Sequence, residues 1–415
     1  MNFLLQNIML PSGEITDVQI ENGRFSKIGK CETTVIPESI EKIDCTNKAL
    51  IPPFYNTHTH AGMTLLRGYA DDMPLFEWLS EHIWPMEAKL NGEDIYLGTK
   101  LAIVEMLKSG TVFFNDMYWY VPHLVKAVEE FGIRAAIGCP VMDRNAEISL
   151  PMAAEFIAEY RNNPLIQITV APHAVYTCSE KNLRACAELA RKNDVFLHIH
   201  ISETEQENAD CIKATGLTPV QYLKKIGVLD CKVIAAHCIY ANDEDVKTLA
   251  ECGTVISHCP TSNRKLASGL FPMSIFRKYN CKVTLGTDGC SSNNNLDMRE
   301  EAKIASLLAI SQGGATAMPV KNMLQIATRA GAEAFGINAG EIAVGREADA
   351  LIIDLRDERM VPLYNLASNW IYSAGHNCIE SVLVKGEFVM KNRIVPHADE
   401  VIDEVRRRFN RANWC

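Results

Sequence analysis

The sequence has 415 residues, of which 47% are hydrophobic and 22% charged, and its formal net charge at pH 7 is −10. This length suffices for one large barrel or for two to three domains. The negative charge argues against a nucleic-acid partner, because phosphate binding needs clustered Lys and Arg. We find neither a signal peptide nor an apolar run of the roughly 20 residues that a membrane helix needs, so we expect no membrane association.

The 14 cysteines contain no Cys-x-x-Cys pair. Many of them, such as Cys139, Cys238 and Cys281, lie inside apolar runs, where a thiol behaves as a small buried hydrophobe. This usage is typical of reduced thiols rather than of a disulfide framework. We therefore expect a cytoplasmic protein.

The two ends of the chain have similar patterns. Residues 1–48 read as short strands with an Asn22-Gly23 turn between extended runs, which is a strong hairpin signal. The tail has a buried strand at 350–354 and a second hairpin at 381–390. We expect 1–48 and 346–415 to form one small composite β-sandwich domain, with the middle of the chain inserted between its halves.

The middle of the chain, residues 49–345, alternates short apolar runs with longer amphipathic stretches. Helical patterns occupy 98–108, 180–192 and 243–251. Eight strands are predicted at 49–54, 111–116, 134–141, 166–171, 195–200, 233–237, 254–258 and 282–288. The fold class is therefore α/β, and eight such units predict a (β/α)8 TIM-type barrel with its active site at the carboxyl ends of the strands.

Histidines concentrate at those carboxyl ends. The first predicted strand leads to His58 and His60, which lie on one face because side chains i and i+2 of a strand point the same way. A His-x-His pair also occurs by chance, so it needs further ligands to define a metal site. Six of the 11 histidines lie at or just beyond strand ends, and Asp288 ends the eighth strand. The six are His58, His60, His173, His200, His237 and His258.

Four of these groups can converge on one ion: His58, His60, His200 and Asp288. Three imidazoles and a carboxylate suit Zn²⁺ with an open position, although another divalent transition metal would also fit. Such an ion lowers the pKa of water from about 15.7 towards roughly 7. Glu203, three residues beyond His200, suits a proton shuttle, with a first-turn acid of the next helix as the alternative.

Neighbouring residues have simpler explanations. His198 shares a face with His200 one layer deeper, so we expect it to form hydrogen bonds in the core. We interpret Cys238 and Cys290 as packing residues, because the histidines and Asp288 already complete a ligand set. The role of His258 stays open.

This pattern resembles the amidohydrolase superfamily, in its mononuclear deaminase and chlorohydrolase branch. The matching segments are 56–60 (NTHTH), 198–204 (HIHISET), 236–238 (AHC), 285–289 (LGTDG) and 345–350 (GREADA). Many two-metal relatives carry a bridging lysine on strand four, whereas here that strand ends in His173 and contains no lysine. The resemblance therefore implies one metal ion per subunit.

The chain is more closely similar to the adenosine, S-adenosylhomocysteine and 5′-methylthioadenosine deaminases. The segments 64–68 (TLLRG), 77–79 (EWL) and 84–87 (WPME) match that family's substrate loop. The resemblance implies that Glu87 holds the ribose hydroxyls, that Trp78 packs on the substrate, and that His173 hydrogen-bonds the purine. Without the family match, Trp78 would be read as helix packing.

Two segments depart from the family pattern. Cys259 stands where an Asn is usual, and its role stays open. Arg144 is only a loose match to arginines that meet the substrate's tail, and Arg134 is a weaker candidate for that role. The sequence therefore leaves the preferred 5′ substituent open.

The resemblance implies a zinc-dependent hydrolytic deaminase of adenine nucleosides that yields an inosine-type product and ammonia. Glu203 would protonate the ring nitrogen, His237 would orient the nucleophile, and Asp288 would accept its proton. One alternative is an amino- or chlorohydrolase of another heterocycle (guanine, cytosine, a pterin or a triazine), and a more distant one is a non-catalytic scaffold. The partner is a small-molecule nucleoside, and a homo-oligomer whose neighbouring subunit completes the pocket is compatible with the sequence.

Overall fold

The computed structural model describes residues 2–31 and 40–409. The strands are β1 (Phe3–Met9), β2 (Ile15–Glu21), β3 (Arg24–Ile28), β4 (Glu41–Asp44), β5 (Lys48–Ile51), β6 (Phe54–Thr59), β7 (Thr111–Met117), β8 (Arg134–Gly138), β9 (Pro140–Val141), β10 (Ile166–Ile168), β11 (Ala171–Pro172), β12 (Leu197–Ile201), β13 (Val233–His237), β14 (Val255–His258), β15 (Lys282–Leu285), β16 (Ala350–Asp354), β17 (Ile379–Val384) and β18 (Glu387–Met390).

The helices are α1 (Leu75–Glu77), α2 (Trp84–Glu87), α3 (Gly92–Lys108), α4 (Val121–Phe131), α5 (Ala146–Glu159), α6 (Glu180–Asn193), α7 (Glu205–Thr215), α8 (Pro219–Lys225), α9 (Asp243–Glu251), α10 (Pro260–Lys265), α11 (Met273–Lys278), α12 (Met298–Gly313), α13 (Val320–Ala327), α14 (Arg329–Ala334), α15 (Leu366–Tyr372) and α16 (Ala398–Arg408). A π-helical turn, Trp78–Ile83, joins α1 to α2. Short 3-10 turns cover Ala61–Leu66, Val228–Asp230, Glu358–Met360 and His376–Cys378.

The middle of the chain forms a closed barrel of parallel strands. One arc has the order β10-β8-β7-β6 and the other β12-β13-β14-β15. A parallel bridge between Val170 and Leu197 joins the arcs on one side. On the other side, the Asp288 N–H donates to the His58 carbonyl at 3.0 Å. The predicted α/β class and TIM-type barrel are therefore confirmed.

Buried polar side chains fasten the first barrel strand to the eighth. The Asn56 amide donates to the Thr287 hydroxyl at 2.7 Å, and its oxygen accepts from the Thr287 N–H at 3.1 Å. The Thr57 hydroxyl donates to the Leu285 carbonyl at 2.9 Å. Asn56 and Thr57 are fully buried, so these bonds satisfy groups that would otherwise be costly to bury.

Strands from both ends of the chain share one mixed sheet. Its order is β18-β17-β16-β5-β1-β2-β3, with β4 beside β1, and β16 runs antiparallel to β5. A separate apolar cluster covers it, with core members from both ends such as Phe3, Val18, Ile352 and Leu383. The predicted pairing of the two ends is therefore observed, while residues 32–39 and 410–415 lie outside the described part.

The expected first barrel strand, 49–54, is wrong except at its last residue, Phe54. Residues 48–51 form β5, which pairs with β16 in the terminal sheet, and the barrel strand is β6, at 54–59. Pro52 and Pro53 separate the two, because proline has no N–H for a sheet ladder. His58 therefore lies within the strand, and His60 follows it.

Other parts of the chain also differ from the expectation. The third and fourth barrel strands are each split into two short pieces, β8 with β9 and β10 with β11. The tail is not only β, since α15 and α16 bury Trp370 and Val401 in the barrel's apolar core.

The described helices include none with the length and apolar composition needed to cross a membrane. The cysteines in the described ranges are all free thiols, and most of them are buried.

Candidate active site

A cavity lies at the carboxyl ends of the barrel strands. Its floor carries His60 after β6, His200 on β12, His237 at the end of β13 and Asp288 after β15. Its walls are aromatic and include Trp78, Trp84, Tyr118, Trp119 and Tyr176. The cavity therefore joins a polar floor to an apolar, ring-lined wall.

The floor groups point at one small volume. The Nε2 atoms of His58 and His60 lie 3.5 and 3.3 Å from the same Asp288 oxygen, Oδ1. Ligand atoms of His58, His60 and His200 all lie within 4.8 Å of one another, and so do those of His58, His237 and Asp288. The structure thus brings the four expected ligands together and adds His237 to their surroundings.

Hydrogen bonds fix which ring nitrogen each histidine presents. His60 Nδ1 donates to the Met117 carbonyl at 2.8 Å, and His200 Nδ1 donates to the His173 carbonyl at 2.7 Å. His58 Nδ1 lies 2.8 Å from His198 Nε2, so His198 forms the hydrogen bond expected of it. Each ligand histidine therefore directs Nε2 to the shared volume, which is the usual arrangement around a metal.

An unpaired atom supports a cation here. His58 Nε2 is buried and has no hydrogen-bond partner among the described residues. Burial lowers the pKa of His58 to about 4, so its imidazole is neutral at pH 7, the form that coordinates metals. Three imidazoles and one carboxylate fit a divalent transition metal.

The charges of His237 and Asp288 are coupled. Burial lowers the pKa of His237, but the nearby carboxylates of Glu203 and Asp288 outweigh burial and raise it. Burial raises the pKa of Asp288, but His58 and the other histidines outweigh it and hold it well below its usual range. Asp288 is therefore an ionised oxygen donor.

Glu203 lies beside this floor, after β12. Its Oε2 is 3.7 Å from His237 Nε2, and the Ser268 hydroxyl donates to its Oε1 at 3.4 Å. Burial raises its pKa. The alternative interpretation, a first-turn acid of the next helix, does not hold, because α7 begins at Glu205 with Thr204 as its N-cap.

Several partners of these groups were not identified from the sequence. The hydroxyls of Ser262 and Ser292 donate to Asp288 Oδ2 at 2.6 and 3.1 Å. His237 Nδ1 lies 2.7 Å from the Asn263 side-chain oxygen. Ser262 and Asn263 belong to the segment 257–263, whose position at the end of the seventh strand indicates that it lies near the site. The sequence contains no comparable indication for Ser292.

The expected substrate residues Trp78, Glu87 and His173 all line the cavity. Trp78 and Glu87 come from the helical segment between β6 and β7, and the Trp78 indole N–H donates to the Ala70 carbonyl at 3.0 Å. Burial raises the pKa of Glu87 to about 7. Burial lowers the pKa of His173 to about 3, so this ring is neutral.

The two arginines have different locations. Arg144 is exposed at the rim, with its guanidinium carbon 5.1 Å from the centre of the Trp84 ring. Arg134 lies at the opposite end of the barrel, where it contacts Glu347 at 2.6 Å and Asp349 at 2.8 Å. The suggestion that Arg134 meets a substrate is therefore wrong.

Two residues whose roles were open are packing residues in the structure. His258 stacks on Phe271, with ring centres 4.3 Å apart. Cys259 is fully buried, with its sulfur 3.7 Å from the Ser257 carbonyl. Neither is among the residues that line the cavity.

A parallel barrel with a His and Asp cluster at its carboxyl mouth defines the class of metal-dependent barrel hydrolases. Residues 49–389 match the amidohydrolase family. The chain belongs to that family.

Individual relatives cover nearly the whole chain. It is 41% identical to 5-methylthioadenosine/S-adenosylhomocysteine deaminase 1 of Archaeoglobus fulgidus, covering 96% of this chain and 95% of the relative. It is also 41% identical to 5′-deoxyadenosine deaminase of Methanothermobacter thermautotrophicus, covering 93% and 94%. A crystal structure of an adenosine deaminase from Xanthomonas campestris with bound zinc superposes with a TM-score of 0.92 at 33% identity, covering 98% and 97%.

Proposed function

We propose that this protein is a zinc-dependent hydrolytic deaminase of adenine nucleosides, namely 5′-methylthioadenosine, S-adenosylhomocysteine and adenosine. The observation that carries the proposal is the buried set of three histidines and Asp288, with Glu203 beside it at the base of an aromatic cavity. The names of the relatives, at about two fifths sequence identity, support the substrate class. The products are ammonia and the corresponding inosine-type nucleoside.

His58, His60, His200 and Asp288 hold one metal ion per subunit in this proposal. The unpaired Nε2 of His58 and the zinc in the Xanthomonas campestris relative support zinc. When bound, zinc supplies the nucleophile by lowering the pKa of water from about 15.7 towards about 7.

The chain's own residues handle the protons. Glu203 protonates the ring nitrogen next to C6, and burial, which raises the pKa of this carboxyl, favours the protonated form that the step needs. His237 orients the nucleophile, and Asp288 accepts its proton. Asp288 passes that proton to the amino nitrogen, the bond from C6 to this nitrogen breaks, and the protonated group leaves as ammonia. General acid–base catalysis of this kind contributes roughly 10²- to 10⁴-fold.

The remaining cavity residues bind the nucleoside. Glu87 accepts hydrogen bonds from the ribose hydroxyls, His173 hydrogen-bonds the purine, and Trp78 packs against the substrate. Arg144, exposed at the rim, meets the 5′ substituent. The lining of the cavity by the first three residues supports this assignment.

We also propose that 1–48 and 346–415 form a composite β-sandwich domain on the barrel of residues 49–345. The separate apolar cluster of the terminal sheet supports this division. We infer a cytoplasmic location, which the free thiols support.

The proposal is tested by ultraviolet assay of zinc-loaded protein with adenosine, 5′-methylthioadenosine and S-adenosylhomocysteine. Guanine, cytosine and an aminotriazine serve as comparison substrates. We expect the adenine-to-hypoxanthine absorbance change with the nucleosides alone. Turnover of a free ring without turnover of any nucleoside would overturn the substrate class.

Replacement of the proton shuttle tests the mechanism. We expect Glu203→Gln to keep its zinc, measured by elemental analysis, and to lose at least about 100-fold in kcat, because no proton reaches the ring nitrogen. Glu205→Gln, at an exposed position two residues further on, is the matched control. Full turnover by the Glu203 variant would contradict the assignment.

A further inference from the structure

We infer that Tyr118 is a further specificity-determining residue. Its hydroxyl and the Glu87 carboxylate would each form a hydrogen bond to the same ribose hydroxyl. The site would then select ribonucleosides over nucleosides that lack this hydroxyl. The inference rests on the proposed function and names a residue that the family resemblance did not include.

The Tyr118 ring is held rigidly. It directly follows β7, and its backbone N–H donates to the Gly138 carbonyl at 3.0 Å. The ring packs so closely on Gly62 that a Cβ at that glycine would lie 2.3 Å from the ring's Cε1 atom. The His60 ring is also close, with its centre 6.4 Å from that of Tyr118. The phenol therefore has a fixed direction.

The Tyr118 hydroxyl has no partner of its own. The residue is 1% exposed and lines the cavity, and no described residue accepts or donates a hydrogen bond at its oxygen. The Glu87 carboxylate is near enough for the phenol to affect its pKa, but it does not meet the geometry of a hydrogen bond. A buried hydroxyl without a partner is unfavourable, so a ligand that pairs with it gains affinity.

The chemistry of a sugar hydroxyl matches these two side chains. In its ionised form the Glu87 carboxylate only accepts hydrogen bonds, whereas a hydroxyl has one hydrogen to donate and two lone pairs. A ribose hydroxyl that donates to Glu87 still has a free lone pair, and the Tyr118 O–H donates to it. A substrate without that hydroxyl leaves both side chains unpaired, and sites built in this way discriminate strongly against such analogues.

The test compares wild type and Tyr118→Phe on adenosine, 2′-deoxyadenosine and 3′-deoxyadenosine. Phenylalanine keeps the ring on Gly62 and removes only the oxygen. We expect kcat/KM for adenosine to fall by roughly 10- to 100-fold, chiefly through KM, because one hydrogen bond to the substrate is lost. For the deoxynucleoside that lacks the recognised hydroxyl, we expect little change, so the ribose-to-deoxyribose ratio falls at least tenfold.

Two controls separate binding from folding. The melting temperature of ligand-free Tyr118→Phe is expected to equal or exceed that of wild type, because the hydroxyl has no partner to lose. Tyr176→Phe removes another phenol oxygen from the same cavity and is expected to keep the ratio.

The outcomes are distinct. An equal loss on all three nucleosides, an unchanged ratio, or a marked fall in melting temperature would overturn the role of Tyr118 alone. Wild-type protein that deaminates none of the nucleosides would overturn the proposed function together with this assignment.

Discussion

Asp288 has different partners on its two carboxylate oxygens. Oδ2 accepts from Ser262 and Ser292, whereas Oδ1 accepts from the Gly289 N–H at 2.8 Å and faces the Nε2 atoms of His58 and His60. The serines therefore hold the carboxylate in one orientation, with Oδ1 directed at the candidate metal position.

We expect Ser262→Ala to weaken zinc binding by about 10- to 100-fold, because the residues that orient a ligand commonly contribute that much. The measurement is competition against a chromophoric chelator. Ser291→Ala is the matched control, since the buried Ser291 hydroxyl contacts the Met63 sulfur at 3.0 Å instead. Equal zinc affinity of both variants would contradict this role of Ser262.

Asp116 is a buried acid outside the proposed chemistry. Its Oδ1 accepts from the Ala61 N–H at 2.7 Å, and its Oδ2 has no partner among the described residues. Burial raises its pKa from 3.8 to about 8. Because the folded state holds this proton more tightly than the unfolded chain, Asp116 lowers the free energy of unfolding as pH rises from about 4 to about 8.

We expect Asp116→Asn to reduce the loss of stability of metal-free protein between pH 5 and pH 8. One such group contributes at most about 1.4 kcal/mol per pH unit. Thermal denaturation of chelator-treated protein across this range measures the effect. Asp210→Asn, an exposed position on α7, is the control, and parallel curves for wild type and the Asp116 variant would contradict the prediction.

The ligands could be predicted because they sit at strand ends in a pattern readable from sequence alone. The residues that form hydrogen bonds with these ligands could not be predicted. Whether the Ser292 hydroxyl reaches Asp288, or Tyr118 lines the same cavity as Glu87, depends on how separate loops fold over the barrel mouth, and no local periodicity encodes that.

Helix α3 shows where the prediction at the level of elements falls short. The amphipathic pattern gave 98–108, but the helix begins at Gly92. Asn91 and Asp94 form a reciprocal cap, with the Asn91 side chain accepting from the Asp94 N–H at 3.1 Å and the Asp94 side chain accepting from the Asn91 N–H at 2.9 Å. The cap residues are visible in the sequence, but they lie about one and two helical turns before the predicted stretch.

Gly98 marks a close approach of α3 to the turn that follows His60. A Cβ at Gly98 would lie 2.8 Å from the Gly62 carbonyl oxygen. We expect Gly98→Ala to destabilise the protein by about 1–3 kcal/mol, because overpacking outweighs the roughly 1 kcal/mol that alanine gains in a helix. Urea unfolding measures it.

Gly92→Ala on the same helix is the comparison. Its new Cβ would meet the His123 ring, which is about one-third exposed and can turn away, so the loss is expected to be smaller. If the Gly98 variant is as stable as wild type, the prediction is wrong, and the turn after His60 can move to accept the added methyl group without loss of stability.

At the scale of the whole molecule, a buried ionic network joins the barrel to the terminal sheet. Asp349 accepts from the Tyr55 hydroxyl at 2.8 Å, from the Arg134 guanidinium at 2.8 Å and from the Lys385 N–H at 2.7 Å. Asp349 is fully buried, and Arg134 is 6% exposed. The segment GREADA, noted in the sequence as a family feature, thus has a structural role at this junction.

We expect Asp349→Ala to lower the free energy of unfolding by about 3–5 kcal/mol, because it leaves buried partners of a charge unpaired. Asp354→Ala is the control on the same strand, since Asp354 pairs with the exposed Arg356 and such pairs contribute about 0–1 kcal/mol. Denaturant titration measures both, and equal losses would contradict the importance of the junction.

The pairing of β5 with β16 has a consequence for the order of events on the ribosome. The strand with His58 and His60 is made early, but 294 residues separate Tyr55 from its partner Asp349. At a synthesis rate of about 5–20 residues per second, that interval is roughly 15 to 60 s. During this interval, the nascent chain contains His58 and His60 but not the strands of the terminal sheet that later pack against this part of the chain. The last part of the protein to be translated therefore stabilises the first part of its candidate metal centre.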